Sequence, residues 1–135
     1  MTDKRCWLTP PALYERLDAE FHFNFDPCPY PKPEGYDSLV RPWEKSNYVN
    51  PPFRPRDGVN RKGPTAFVHK AIAEHKLGRG SVLVLPVQSY VMLLAAVPGI
   101  QIRSLGRVKW EDVDTREPMK GPSPICAFVL PGAKP

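Results

Sequence analysis

The fold of this chain is decided by the run SVLVLP at residues 81–86. After its first serine the run is continuously apolar, and it contains two β-branched valines, as expected for a strand that is covered on both faces. Such a strand requires helices on both sides of its sheet. A helical pattern lies directly upstream, where Thr65 to Leu77 carries an apolar face around Phe67 and Ala71.

The other predicted elements follow outward from this strand. Predicted helices cover Ala12 to Ala19 and Tyr90 to Val97, and predicted strands cover the alternating Phe21, Phe23 and Phe25, then Tyr48-Val49, Ile100 to Leu105 and Ile125 to Leu130. Thr9 is expected to cap the first helix, with Pro10 at the first helical position. This order predicts one α/β domain over residues 1–135, with a mainly parallel central sheet flanked by helices.

Charge, apolar stretches and cysteine content indicate which partners, location and metal content to expect. The chain has 135 residues, a formal charge of +5 and a pI of about 9.2. The basic excess fits a polyanionic partner such as nucleic acid, or equally a solubilising surface charge. No apolar stretch is long enough to cross a bilayer and no signal-peptide core is present, so we expect a cytoplasmic protein without membrane association. The three cysteines indicate no disulfide framework, and together with the histidines they show no zinc-ligand spacing, so we expect no metal.

The most informative motif is Asn50-Pro51-Pro52-Phe53, directly after the predicted strand Tyr48-Val49. Two consecutive prolines fix two φ angles, so the loop is stiff. The Asn50 side-chain oxygen and a proline-loop carbonyl could then hold one amine with its lone pair toward an electrophile, while Phe53 offers a face for a planar base. The alternative is a Pro-Pro turn with a packed phenylalanine.

A basic loop follows this motif. It carries Arg54, Arg56, Arg61 and Lys62, and these side chains could hold phosphates that flank an extruded base. A solvated loop without a ligand is the alternative. Arg107 and Lys109, which follow a later strand, could add phosphate contacts.

The chain resembles the phage-type DNA N-6-adenine-methyltransferase (Dam-like) family over nearly its whole length. The matching pieces, in order, are Trp7-Leu8-Thr9-Pro10-Pro11 with Leu13 and Leu17; Phe21, Phe23 and Phe25-Asp26-Pro27-Cys28; Tyr36-Asp37-Ser38-Leu39 with Trp43; Tyr48-Val49-Asn50-Pro51-Pro52-Phe53; Lys70-Ala71; Val82-Leu83-Val84-Leu85-Pro86; and Gly106-Arg107-Val108-Lys109-Trp110. Each piece is weak alone, whereas the ordered series is specific.

The resemblance implies a small Rossmann-like methyltransferase fold and transfer of a methyl group from S-adenosyl-L-methionine to the N6 amine of adenine in DNA. It implies that the catalytic residues are Asn50, Pro51, Pro52 and Phe53. It further implies that the cofactor-binding residues are Thr9, Pro10, Asp26, Pro27, Cys28 and Asp37. DNA is the expected partner, and a phage-encoded enzyme would act in the cytoplasm of its bacterial host. Sequence specificity would be loose or supplied by a second subunit, for example in a homodimer.

Several alternatives stay open at this point. The segment Asp26-Pro27-Cys28-Pro29 stands where larger methyltransferases have a Gly-rich turn, which favours an inactive, nucleic-acid-binding relative. The same loop also suits another planar amine: an RNA adenine, the N4 of cytosine or a glutamine amide. Asp26 could cap a turn instead, and Cys28 is more readily a buried thiol than a nucleophile. Trp43 and Trp110 are expected to be packing residues.

Overall fold

The computed structural model describes residues 8–29, 37–51, 63–108, 110–112, 115 and 124–133. Within these residues the strands are β1 (Ser46–Val49), β2 (Gly80–Pro86), β3 (Gln101–Gly106) and β4 (Ile125–Leu130). The helices are α1 (Pro11–Phe21), α2 (Pro64–Lys76) and α3 (Val91–Ala95), with a short 3-10 helix at Ser38–Val40. The strands form one sheet in the order β1-β2-β4-β3.

The sheet is mixed, so the prediction of a mainly parallel sheet is wrong. β1 pairs with β2 in parallel, but β4 pairs antiparallel with both β2 and β3. Since β4 opposes both of its neighbours, β1, β2 and β3 all point in one direction and β4 alone among them is reversed. The apolar run of β4 indicates that it is buried but carries no information about its direction.

β2 is buried from Ser81 to Pro86, as its sequence predicts. Leu83 and Leu85 belong to a core cluster on the side of α2 and α3, whereas Val82 and Val84 belong to a second cluster on the side of α1. This alternation follows the period of two residues in a strand. The helices therefore cover both faces of the sheet, and the prediction of an α/β protein is confirmed.

The structure corrects the start of the chain. Pro10 is the N-cap of α1 and Pro11 its first residue, and no side chain caps the helix, so the predicted role of Thr9 as a cap is wrong. α1 also runs on to Phe21, beyond the predicted end. The predicted phenylalanine strand is reduced to one parallel bridge, between Phe25 and Asn47 of β1. α1 takes up Phe21, and His22 ends the helix in a left-handed conformation, so the first part of the alternating pattern is not extended.

The other predicted elements are confirmed to within a few residues of their ends. Trp43 and Trp110 are almost fully buried, so both pack in the core as expected. None of the described helices has the length and apolar character that spanning a membrane demands.

The direction of the strands defines two edges of the sheet. We call the edge beyond Val49, Pro86 and Gly106 the carboxyl edge, and the edge before Ser46 and Gly80 the amino edge. The partners in register are Val49 with Leu83, and Ser46 with Gly80.

The amino edge is closed by a buried carboxylate. Glu74 on α2 is only 2% exposed and forms ion pairs with Lys70 Nζ at 2.8 Å and with Arg79 Nη1 at 2.5 Å. The backbone N–H of Trp43 donates to its Oε1 at 3.3 Å. Burial alone would raise the pKa of Glu74, but these hydrogen bonds outweigh burial and lower it. The ionised carboxylate thus ties α2 to the chain segments that enter β1 and β2.

Candidate functional site

The site begins at a step in the carboxyl edge. Val49, the last residue of β1, lies opposite Leu83, whereas β2 continues through Val84, Leu85 and Pro86. At about 3.3 Å per residue, β1 stops about 10 Å short of its neighbour. Asn50 follows β1 directly and so lies beside the wall that the end of β2 provides. Ligands of sheets of this kind bind outside the carboxyl ends of their parallel strands.

The segment Asp26-Pro27-Cys28 leaves the sheet at the same edge. Phe25 pairs in parallel with Asn47, and the backbone N–H of Tyr48 donates to the carbonyl oxygen of Phe25 at 3.0 Å. Because the two segments run side by side in one direction, the residues that follow Phe25 and those that follow Val49 emerge together. The sequence predicts this meeting of the two motifs, and the described residues confirm it.

Thr9 joins Asn50 although 41 residues separate them in sequence. The side-chain Nδ2 of Asn50 donates to Thr9 Oγ1 at 3.3 Å, and Thr9 Oγ1 is also hydrogen-bonded to the hydroxyl of Tyr48. Pro51 follows Asn50 and is buried. A residue before proline is restricted to extended conformations, so both the backbone and the amide of Asn50 are held.

Asp26 is a carboxyl group whose charge acts on the Tyr48 hydroxyl of this network. Its Oδ1 accepts a hydrogen bond from the backbone N–H of Cys28 at 2.8 Å, which closes a tight turn. Burial raises the pKa of Asp26 to about 6, and the Cys28 hydrogen bond only partly opposes this rise. The carboxyl group is therefore poised to ionise fully when a positive charge is placed beside it.

Tyrosine side chains line the α1 side of the site. Tyr48 is 2% exposed, and its ring lies edge-on to Tyr14 with 5.0 Å between the centroids and 5.2 Å from the ring of Phe23. Burial raises the pKa of both hydroxyls, and the nearby charge of Asp26 adds to the effect. Both phenols stay protonated at neutral pH, so they act as hydrogen-bonding groups rather than as bases.

Tyr48 is the site residue that sequence reasoning missed. The sequence places Tyr48 in a predicted strand and in the motif that continues to Phe53, and its spacing from Asn50 carries a further signal. In a strand, residues i and i+2 face the same side, so Tyr48 and Asn50 are expected to share a face.

Asp37 and Pro27 are brought together by Ser38. Asp37 Oδ1 accepts from the backbone N–H of Leu39 at 3.0 Å and so opens the 3-10 helix, while Ser38 Oγ donates to the carbonyl oxygen of Pro27 at 2.6 Å. Cys28 is half-buried and packs against the core cluster on the α2 side. The candidate cofactor residues on these two segments thus form one connected group.

Some predicted residues lie outside the described part of the chain. These are Pro52, Phe53, Arg54, Arg56, Arg61, Lys62 and Lys109. Arg107 is described: it is exposed and follows β3 at the carboxyl edge. β1 and β3 are three strand-to-strand steps apart, so Arg107 is displaced from Asn50 by about 14 Å across the sheet.

An open cavity of about 590 Å³ lies away from this site. Its lining comes from the segment before β1 and from Arg79, which precedes β2, and so it belongs to the amino edge. Strand direction, rather than cavity volume, is what singles out the step beside Asn50.

Comparisons with protein-family models, with curated proteins and with solved structures found no match to this chain.

Proposed function

We propose that this protein transfers a methyl group from S-adenosyl-L-methionine to the N6 amine of adenine in DNA. The observation that carries the proposal is the position of Asn50. Its amide lies at the carboxyl edge in the step beside β2, is held through its Nδ2 by Thr9 and is followed by the buried Pro51. The Asp26 turn emerges next to it.

The chemistry requires positioning more than proton transfer. With Nδ2 engaged by Thr9, the Oδ1 of Asn50 lies on the other side of the amide and can accept a hydrogen bond from an exocyclic amine. Such a bond directs the lone pair of the amine toward the reaction partner, and a fixed geometry supplies much of the rate enhancement. The donor, when bound, supplies a methyl group that its sulfonium has already activated.

Asp26 suits a positively charged donor. A carboxyl group that burial keeps partly protonated near neutral pH gains ionisation, and hence attraction, when a cation lies beside it. Pro27, Cys28 and Asp37 flank it on the connected group of segments. These residues would hold the donor within reach of the step that Asn50 occupies.

DNA as the substrate rests on charge and on the ordered motifs of the sequence. The formal charge is +5, and Arg107 is exposed at the carboxyl edge, where a backbone phosphate could reach it. A non-catalytic nucleic-acid-binding module is the second candidate. It is favoured by the prolines of the Asp26 turn, since Pro27 and Pro29 lack the backbone N–H groups that a Gly-rich turn would offer.

The test is incubation of the purified protein with methyl-labelled S-adenosyl-L-methionine and unmethylated DNA, followed by nucleoside analysis. We expect labelled N6-methyladenine. Asn50→Ala should abolish the label because the acceptor for the amine is lost, while circular dichroism shows an unchanged fold. Gln88→Ala is a matched control, because Gln88 is an exposed amide beyond the end of β2.

The other outcomes discriminate among the candidates. Labelled N4-methylcytosine would show that the substrate is the N4 amine of cytosine and not the N6 amine of adenine. DNA binding without donor binding, measured by calorimetry, would favour the non-catalytic module. An Asn50→Ala variant that methylates DNA at the normal rate would exclude the proposed role of this loop.

A further inference from the structure

We infer that the open cavity at the amino edge is a contact for the DNA backbone, in which Arg41, Lys45 and Arg79 bind phosphate groups. This inference rests on the proposed function in taking DNA as the partner, but it involves neither the methyl transfer nor the Asn50 amide. The cavity has a volume of about 590 Å³, and residues 41–45 and Arg79 line it.

The lining of the cavity is predominantly basic. It carries Arg41, Lys45 and Arg79 against one carboxylate, that of Glu44. The ion-pair network of Arg79 adds one lysine and one glutamate, so four cations face two carboxylates and leave an excess of two positive charges. Within the described part of the chain, neither Lys45 nor Glu44 forms an ion pair. A phosphate group is the ligand that such an excess favours.

Arg79 is fixed on one side and open on the other. Its Nη1 donates to Glu74 Oε2 at 2.5 Å, and its backbone N–H donates to the carbonyl oxygen of Glu74 at 3.0 Å. Its Nε and Nη2 have no hydrogen-bond partner among the residues that the structure describes, and the side chain is 33% exposed. Parallel N–H groups of a guanidinium match two phosphate oxygens. Arg79 therefore presents a fork that is already oriented.

The segment that carries Lys45 is held in place as well. The buried Asn47 accepts the backbone N–H of Glu44 through Oδ1 at 3.0 Å and donates through Nδ2 to the carbonyl oxygens of Glu44 and Gly80, each at 2.8 Å. The carbonyl oxygen of Lys45 accepts the N–H of Gly80 at 3.0 Å. These bonds join the residues before β1 to the residue after Arg79. Binding therefore does not have to order the backbone of the cavity.

The cavity and the candidate site lie at the two ends of one β-strand. β1 is the outermost strand on its side of the described sheet; residues of the cavity lead into it and Asn50 follows it. From Ser46 to Asn50 the distance is about 13 Å. Arg41 extends the basic surface outside β1, because its guanidinium lies 4.9 Å from the ring centre of Phe25, whose backbone pairs with β1. Phosphates of one DNA strand recur about every 3.4 Å along the helix axis, so one duplex spans both ends of β1.

The experiment measures the affinity of the protein for a short fluorescein-labelled duplex by anisotropy, between about 50 and 200 mM salt. Lys45→Gln removes one cation of the cavity, and the double variant Arg41→Gln/Lys45→Gln removes two. Arg16→Gln is the matched control, because it removes one positive charge from an exposed residue of α1 that does not line the cavity. Urea denaturation of each variant checks that the fold is retained.

The salt dependence separates a phosphate contact from a general effect of charge. We expect Lys45→Gln to raise Kd about fivefold and to reduce the slope of log K against log salt by about 1, and the double variant to reduce it by about 2. Arg16→Gln should leave the slope unchanged. Equal slopes for the wild type and the double variant would overturn the inference, as would an equal reduction in Arg16→Gln and Lys45→Gln.

A second measurement locates the contact. The indole of Trp43 lines the cavity and donates through Nε1 to the carbonyl oxygen of Ser38 at 2.9 Å, so its ¹⁵N–¹H resonance reports on this place. We expect the resonance to shift when the duplex is added, and to shift less in the double variant. A shift with inorganic phosphate at equal ionic strength, and none with the duplex, would overturn the assignment to DNA.

The transfer reaction and this contact fail separately. A wild-type protein that binds DNA without methylating it overturns the proposed function, and the inference stands if the double variant still lowers the salt slope. Methylation by the wild type with equal slopes in the double variant overturns the inference alone. A wild-type protein that does not bind DNA overturns both.

Discussion

Asp26 buries a carboxyl group without a cationic partner among the described residues, and Asp26→Asn should therefore remove a pH dependence from the stability of the fold. Asparagine has nearly the same shape, and its Oδ1 can still accept the hydrogen bond that the Cys28 N–H donates at 2.8 Å. The substitution therefore removes the ionisation and leaves the turn in place. Tyr14 and Tyr48, whose ionisation the Asp26 charge opposes, stay neutral well above the pH range concerned.

The sign and size of this pH dependence follow from the pKa of Asp26 in the folded protein and in the unfolded chain. Burial raises the pKa of Asp26 from 3.8 to about 6, so between these values the folded protein binds more protons than the unfolded chain. Stability must then fall as the pH rises through this interval. The full effect is about 3 kcal/mol once Asp26 is ionised in both states, and about 1.4 kcal/mol of it develops between pH 5 and pH 7.5.

The assay is urea denaturation of both proteins at pH 5 and pH 7.5, followed by fluorescence. Every other ionisable group is common to the two proteins, so the difference between their pH dependences isolates Asp26. We expect the variant to gain about 1.4 kcal/mol relative to the wild type between these two pH values. Equal pH dependences, or a wild type that gains stability relative to the variant as the pH rises, would refute the assignment of a raised pKa to burial.

Two further substitutions test how the sheet is held at its amino edge. Glu74→Ala should lower the free energy of unfolding by about 2–4 kcal/mol, because Lys70, Arg79 and the Trp43 N–H lose a buried acceptor; a loss below 1 kcal/mol in urea denaturation would contradict this role. Ser81→Ala should be neutral or stabilise by up to about 1 kcal/mol, since the buried Ser81 Oγ has no hydrogen-bond partner among the described residues. A clear destabilisation on calorimetry would instead reveal a partner for that hydroxyl.

The strands and helices were predictable where burial and periodicity coincide. The run at 82–86 is continuously apolar because both faces of β2 are covered, and Ile125–Leu130 repeats the pattern. Strand direction was not predictable, because hydrophobicity is the same for a strand read from either end. The insertion of β4 between β2 and β3 is a long-range choice that no local pattern encodes.

The residues of the candidate site also divide into those with a local signal in the sequence and those without one. Asn50 and Asp26 were singled out because a proline follows each of them and a strand-like pattern precedes each of them, and both are local signals. The true surroundings of Thr9 were missed, because a threonine before prolines is a good helix cap in general. Its hydroxyl is used instead by Tyr48 and Asn50, which lie 39 and 41 residues away in sequence. These hydrogen bonds between residues distant in sequence form only once the sheet has formed.

The position of β4 in the sheet affects how the protein folds during its synthesis on the ribosome. β3 is synthesised before β4, yet within the described sheet it pairs with β4. One side of β2 also pairs with β4. The segments synthesised first can form helices, but the backbone hydrogen-bonding groups of β2 and β3 that pair with β4 stay unpaired until residues 125–130 have emerged from the exit tunnel. We therefore expect assembly to be late and concerted rather than progressive, with nascent chains that stop before β4 depending on chaperones.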